Sequence, residues 1–197
     1  MWVRRAAIRP VPAHAELPAA ALEDAEDWLG GGPVLDEELA EQRLQGTYDR
    51  FQRAQPELAD RIGRVVARTA DEVAVALGFY LATTLWLAFK RAFGDRLAEI
   101  SATDITGVEE SLALDEQLRG EDPDEPVDSD DVVRMEQPHA LDFIQEHVEA
   151  ALEVHADVAD VDAVHAIYRL MLIQVLALSY GVKPPAGASD DLGDFDA

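Results

Sequence analysis

Apolar side chains return every three or four residues along most of this chain, and no stretch alternates apolar with polar residues over a useful length. The spacing of Leu44, Tyr48 and Phe51 is typical of one face of an α-helix, and the missing alternation argues against β-strands. We therefore predict an all-α fold. The predicted helices cover residues 36–54, 56–68, 70–93, 138–155 and 161–181, with a short helical candidate at 18–29, a short element that begins at Leu97 and Ile100, and a helix around Ile105, Val108 and Leu112.

A faint internal repeat runs through this pattern. Gln55-Pro56 and Gln137-Pro138 each precede an amphipathic run and then a more apolar run that ends in an aromatic residue and glycine. Because proline suits the first position of a helix and disfavours helical geometry in the residue before it, each pair predicts a corner where a helix begins. We predict one bundle built from two weakly similar helical hairpins, with equivalent Gln-Pro corners and the two apolar helices as its central pair.

Composition shifts divide the chain around this single-domain bundle. Proline and alanine dominate the first segment, which ends in a Gly-Gly-Gly-Pro break. Acidic residues dominate two later segments, a linker and a C-terminal tail, and these cannot bury enough apolar surface to become ordered. The predicted parts are an N-terminal arm at 1–34, a bundle at 35–183 and a disordered acidic tail at 184–197. The bundle comprises a first half at 35–118, an acidic linker at 119–133 and a second half at 134–183.

Residues 73–89 form an uncharged run of 17 residues, so a membrane span has to be considered. A spanning helix needs about 20 mostly apolar residues. The run also contains Gly78, Tyr80, Thr83 and Thr84. We predict a central helix buried on all sides, no membrane partner and, because no apolar signal core follows the basic N-terminus, a cytoplasmic protein.

The charge is strongly acidic, with 40 Asp and Glu against 16 Lys and Arg and a formal net charge of −24. Such a surface repels nucleic-acid phosphates and anionic lipids, so direct nucleic-acid binding is not expected. Only Lys90 and Lys183 are lysines, and alanine is abundant, which favours compositional bias or adaptation as the source of the acidity. The alternatives are a basic partner and mimicry of nucleic acid.

Two charged stripes occupy corresponding helices of the predicted halves. The acidic positions are Asp142, Glu146, Glu149 and Glu153, and the basic positions are Arg61, Arg64 and Arg68. A solvated outer face is the ordinary interpretation of such stripes. We also hypothesise that the stripes attract each other, within the chain or across a homodimer. Exposed pairs contribute about 0–1 kcal/mol each, so this attraction would set register more than stability.

Candidate chemistry is sparse. The chain has no cysteine, no phosphate-binding glycine loop, no nucleophile motif and no dinucleotide fingerprint, so no catalytic residue and no cofactor is predicted. Glu136 with His139 and Asp162 with His165 have the spacing used in di-iron bundles, but the first half carries no matching pair. Asp162, His139 and His165 are therefore weak metal candidates.

The function predicted from the sequence is an interaction module. The aromatic residues of the apolar helices are more often core than ligand pocket. A non-enzymatic protein–protein interaction module is therefore favoured, with an unidentified partner for which a basic protein is one candidate. The alternatives are a small-molecule or metal-binding bundle, with or without enzymatic activity, and more weakly a nucleic-acid mimic that binds basic proteins. A pocket lined by Tyr80, Trp86 and Tyr168 favours the second class, and a filled interior with an exposed apolar patch favours the first.

Overall fold

The computed structural model describes residues 7–31, 37–120, 133–134 and 136–187. This part of the chain folds into packed helices and contains no β-strand, only an isolated bridge between Leu97 and Val182, so the all-α prediction is confirmed. The helices are α1 (Ala19–Glu26), α2 (Glu37–Ala54), α3 (Pro56–Val66), α4 (Glu72–Phe93), α5 (Ala102–Gly120), α6 (Pro138–Val154) and α7 (Val161–Tyr180). The predicted linker lies largely, and the acidic tail mostly, outside the described residues.

Helices α4 and α7 are the central pair, as predicted, and contact each other more extensively than any other two elements. The Asp71 carboxylate caps α4 by accepting the Ala74 N–H at 2.6 Å. It also accepts, at 2.9 Å, the N–H of Asp160, which caps α7. The N-termini of the two helices therefore lie together. At the other end Gly181 accepts a backbone hydrogen bond from Ala98, which follows α4. The two helices therefore run parallel.

The first Gln-Pro corner clamps an extended stretch of backbone. Gln55 is buried at the start of α3. Its Oε1 accepts the Ile100 N–H at 2.7 Å, and its Nε2 donates to the Ala98 carbonyl at 2.8 Å. This clamp explains why residues 98–100 are extended, where the sequence pattern predicted a short element.

The second corner makes the same clamp with a segment of the N-terminal arm. Gln137 is buried at the start of α6, and its Oε1 accepts the Leu17 N–H at 2.8 Å. Its Nε2 donates to the Ala15 carbonyl at 2.7 Å and to the Ser179 hydroxyl at 2.8 Å. The backbone angles agree closely, with φ −141° and ψ 63° at Gln55 and φ −143° and ψ 64° at Gln137.

Helix α1 follows the segment clamped by Gln137 as α5 follows the segment clamped by Gln55. The clamped segments read Ala-Glu-Ile-Ser-Ala at 98–102 and Ala-Glu-Leu-Pro-Ala at 15–19, and each leads directly into its helix. Helix α5 packs on α7 and α3, and α1 packs on α4 and α6. The arm therefore contributes to the core through residues such as Leu17, Leu22 and Leu29. Origin by duplication stays a prediction.

Candidate functional site

A groove lies between α5 and the C-terminal end of α7. Its volume is about 640 Å³, and it is partly open to solvent. Its floor is formed by the buried side chains of Ile100, Val108 and Val182. One wall is the face of α5 that carries Thr103, Gly107 and Ser111, spaced four residues apart, so short side chains keep this wall low. We call this feature the α5–α7 groove.

Two cations line this groove. The Arg9 guanidinium lies 4.1 Å from the centre of the Tyr180 ring, and the Tyr180 hydroxyl donates to the Arg9 carbonyl. Burial raises the pKa of the Tyr180 phenol above its usual range, although the nearby Arg9 charge opposes the shift. Lys183 lines the same groove and, like Arg9, makes no ion pair with a described residue. Sequence reasoning missed this group because its members are distant along the chain.

Glu26, Tyr80 and His147 form a polar cluster between α1, α4 and α6. The Glu26 carboxylate lies 3.2 Å from His147 Nε2 and 3.5 Å from the Tyr80 hydroxyl, which donates to it. His147 Nδ1 lies 2.9 Å from the Phe143 carbonyl, so both ring nitrogens lie within hydrogen-bond distance of an oxygen atom. Burial, followed by the Glu26 charge, raises the pKa of Tyr80 to about 12. The cluster holds α1 against α6.

The charged stripes do not meet each other within the described chain. Arg61 on α3 pairs with Glu109 on α5 at 2.7 Å, and Arg64 pairs with Asp60 on its own helix. Neither partner belongs to the acidic stripe. Pairing of the stripes across a homodimer stays a prediction.

The acidic stripe lies along α6. Asp142 pairs with Arg134, which also donates to Gln145. Asp142, Glu146, Glu149 and Glu153 share one shallow surface depression. Together they present a continuous anionic face at this helix.

Three exposed valines lie at the corner between α6 and α7. Val154 is 75%, Val158 71% and Val161 50% exposed. The Asp160–Asp71 hydrogen bond places this corner beside the N-terminus of α4, where Val75 is also exposed at 36%. We call Val154, Val158 and Val161 the valine corner.

The weak metal candidates lie on the surface. Asp162, His139 and His165 are all exposed, and the described residues contain no group of three or more histidine or acidic side chains placed to hold a metal ion. His139 is at the first turn of α6, whereas Asp162 and His165 are at the start of α7, so the structure does not bring the two spaced pairs together into one site.

The aromatic residues pack in the interior. The Trp86 ring lies 5.6 Å from that of Phe51, and Phe89 lies 5.7 Å from Phe93. Trp86 Nε1 and Gln174 Oε1 are buried without a hydrogen-bond partner in the described part of the chain. Neither the α5–α7 groove nor the depression on α6 is lined by Tyr80, Trp86 or Tyr168, the residues whose pocket would favour a ligand-binding bundle.

Two segments, Glu72–Arg96 and Val161–Tyr180, are long and apolar enough to cross a membrane by length and composition. Their most apolar windows are 67% and 61% buried within the fold. Because the core helices of a soluble protein pass the same test, these segments are weak evidence for a membrane location.

Comparison with known proteins gives no identification that could assign any of these features. No protein-family model, no curated protein and no solved structure matches this chain.

Proposed function

We propose that this chain is a non-enzymatic protein–protein interaction module whose contact surface is the valine corner. The observation that carries the proposal is the exposure of Val154, Val158 and Val161, each at least half exposed within residues 154–161. Aliphatic side chains usually lie inside folded proteins, and an exposed apolar group with a polar rim is typical of a contact surface.

The charges around this corner indicate the chemistry of the partner. Glu153, Asp157, Asp160 and Asp162 are exposed in the same stretch of chain. A partner with an apolar centre and a basic rim complements this surface, whereas nucleic acids and anionic lipids are repelled by it. The negative charge of the whole chain favours the same class of partner by steering it during encounter.

The packing of the aromatic residues supports this proposal over the alternative of an interior ligand pocket. Tyr48 packs on Phe79 with ring centres 4.3 Å apart, and Phe51 packs on Trp86. These rings contact each other in the interior. Mimicry of nucleic acid is the weaker alternative, supported by the carboxylates along α6, and it predicts competition with DNA for a basic protein.

The test compares wild type with the double variant Val154→Ser, Val158→Ser as immobilised bait in native extract. Leu114→Ser on α5 is the matched control, since Leu114 is 50% exposed and lies outside the corner. We expect one basic protein to bind wild type and the control but not the double variant, with unchanged melting temperatures. A binding profile that is the same for all three baits contradicts the proposal.

Salt separates the contributions of the apolar and charged groups. High salt screens exposed charges much more than it weakens apolar contact. Partners retained at high salt by wild type but lost by the double variant are held by the valines. Partners lost at high salt from every bait are held by the acidic surface.

A homodimer is a second expected outcome, and sedimentation velocity measures it directly. If the stripes on α3 and α6 attract each other between two copies, Arg64→Glu lowers the dimer fraction at low salt. An unchanged mass for Arg64→Glu contradicts that role for the stripes.

A further inference from the structure

The α5–α7 groove is open because of the residues on one face of α5. The corresponding positions are Ala20 and Asp24 on α1 and Trp28 in the π-helical turn Asp27–Gly31 that follows it, where α5 carries Thr103, Gly107 and Ser111. This correspondence follows from the matched segments at 15–19 and 98–102. The two sets of residues therefore differ most in side-chain size at the last of the three positions.

After α1 the large side chain of Trp28 contacts two arginines. The guanidinium groups of Arg43 and Arg91 lie 4.6 Å and 5.6 Å from the centre of the Trp28 ring. Arg91 also donates to the Asp24 carbonyl. On α5 a serine occupies the place of this tryptophan, and a Cβ atom at Gly107 would meet no atom within 4 Å. The groove beside α5 therefore lacks a large side chain at the position that corresponds to Trp28.

Two cations without an ion-pair partner are the anion-binding groups that this groove offers. Arg9 is held against the Tyr180 ring, and Lys183 lies in the same lining, neither with an ion-pair partner among the described residues. Two acidic residues, Glu99 and Asp104, also line the groove, so its formal charge is balanced. Asp104 accepts hydrogen bonds from the Ser101 N–H at 3.2 Å and hydroxyl at 2.6 Å.

We propose that the α5–α7 groove binds a small organic anion, a carboxylate or sulfonate attached to a short apolar body. The apolar body packs on Ile100, Val108 and Val182, and the anionic group is held by Arg9 and Lys183. A volume of about 640 Å³ suits a small molecule. This site does not depend on the valine corner, since the groove is at the C-terminal end of α7 and the corner is at its N-terminal end.

The test uses 8-anilinonaphthalene-1-sulfonate as the probe, because its fluorescence rises when it enters an apolar site. Wild type is compared with Lys183→Gln, which removes a groove cation. Lys90→Gln is the control, because Lys90 is the other lysine of the chain and pairs with Asp95 and the Gly94 carbonyl elsewhere. We expect the affinity to fall on the order of tenfold for Lys183→Gln and to be unchanged for Lys90→Gln.

A steric variant tests the location independently. Gly107→Leu places a side chain in the groove, and Gly46→Leu on α2 is the matched control because a Cβ atom there also has nothing within 4 Å. We expect Gly107→Leu to abolish the fluorescence increase and Gly46→Leu to retain it, with circular dichroism showing both folded. Ser111→Trp, which imitates Trp28, provides a second steric variant.

Displacement tests the class of ligand. Hexanoate should displace the probe, and hexylammonium, with the same apolar chain and the opposite charge, should not. Equal displacement by both compounds, or an unchanged fluorescence increase in both folded groove-filling variants, overturns the proposal. The valine-corner double variant should bind the probe like wild type, so failure here and failure of the protein-interaction proposal are distinguishable.

Discussion

Gln137 illustrates how much a single buried amide contributes to this fold. Its side chain is the hydrogen-bond partner of Leu17 and Ala15, which are 120 and 122 residues away along the chain. Because buried backbone groups need partners, the extended arm segment can be buried only where such an amide is present.

Replacing Gln137 with leucine should therefore be costly. Gln137→Leu leaves the Leu17 N–H and the Ala15 carbonyl without this partner, and we expect it to lower the free energy of unfolding by about 2–5 kcal/mol. Urea unfolding measures the change. The control is Gln45→Leu, since Gln45 is exposed and bonds only Asp49 among the described residues, and it should change stability by less than about 0.5 kcal/mol. Equal stabilities of the two variants contradict the role of the clamp.

Tyr80 makes stability depend on alkaline pH. Because its pKa is about 12 in the folded state and the ordinary value is 10.0, the unfolded chain loses this proton first. The stabilisation is fully present below pH 10 and is lost as pH rises towards 12. Tyr80→Phe should therefore lose less stability than wild type between pH 10 and 12, as measured by urea unfolding at several pH values. Parallel pH curves for wild type and Tyr80→Phe contradict this assignment.

At the residue scale the sequence predicted the two Gln-Pro corners but not the backbone segments to which Gln55 and Gln137 are hydrogen-bonded. The proline rule identified Gln55 and Gln137 as residues that precede helices, and the structure places both there. Their partners lie 42 to 122 residues away along the chain, and no local pattern encodes such a separation. The Glu26–His147 contact, across 121 residues, was missed for the same reason.

At the scale of elements, the apolar period located helices well because each buries one face or, for α4 and α7, most of its surface. Proline and aspartate fixed their starts within about two residues. The exception is the segment from Leu97 to Ile100, where two apolar residues suggested a short element. Tertiary hydrogen bonds to Gln55 hold this segment extended.

The junction between α7 and this extended segment is tightly packed. A Cβ atom at Gly181 would lie 2.2 Å from Ile100 Cδ1, so Gly181→Ala forces the buried Ile100 to move and should cost about 1–3 kcal/mol. Gly46→Ala is the control, because it lies inside α2 with open space around it and should gain about 0.5–1 kcal/mol. Thermal unfolding checks that Gly181→Ala lowers the stability of the protein and that Gly46→Ala raises it. A Gly181→Ala variant as stable as wild type contradicts the close contact.

At the scale of the whole molecule, charge is the dominant property. A net charge of −24 on 197 residues destabilises the compact state through self-repulsion. Raising NaCl from about 0.02 to about 0.5 M shortens the Debye length and should raise Tm by several degrees. Calorimetry at constant pH measures this shift, and a Tm that falls or stays constant contradicts net repulsion.

The fold class could be predicted from the sequence, but the α5–α7 groove could not. Its lining comes from the arm, from the start of α5 and from the end of α7. Arg9 and Lys183 carry no local signal that distinguishes them from other surface cations. The valine corner also has no periodic signature, because its residues lie in a turn and in the helix ends beside it.

The clamp that Gln137 makes with the segment before α1 has a consequence for the order of folding. The residues from Ala15 to Leu17 are synthesised 120 or more residues before their hydrogen-bond partner Gln137. The Gln55 clamp joins residues 43 and 45 positions apart and can close earlier in synthesis, but the Gln137 clamp must wait until the intervening 120 residues have been made. Such distant pairings are slow because loop closure must precede any gain from contact. We expect the docking of this early segment to be the last step in reaching the native state.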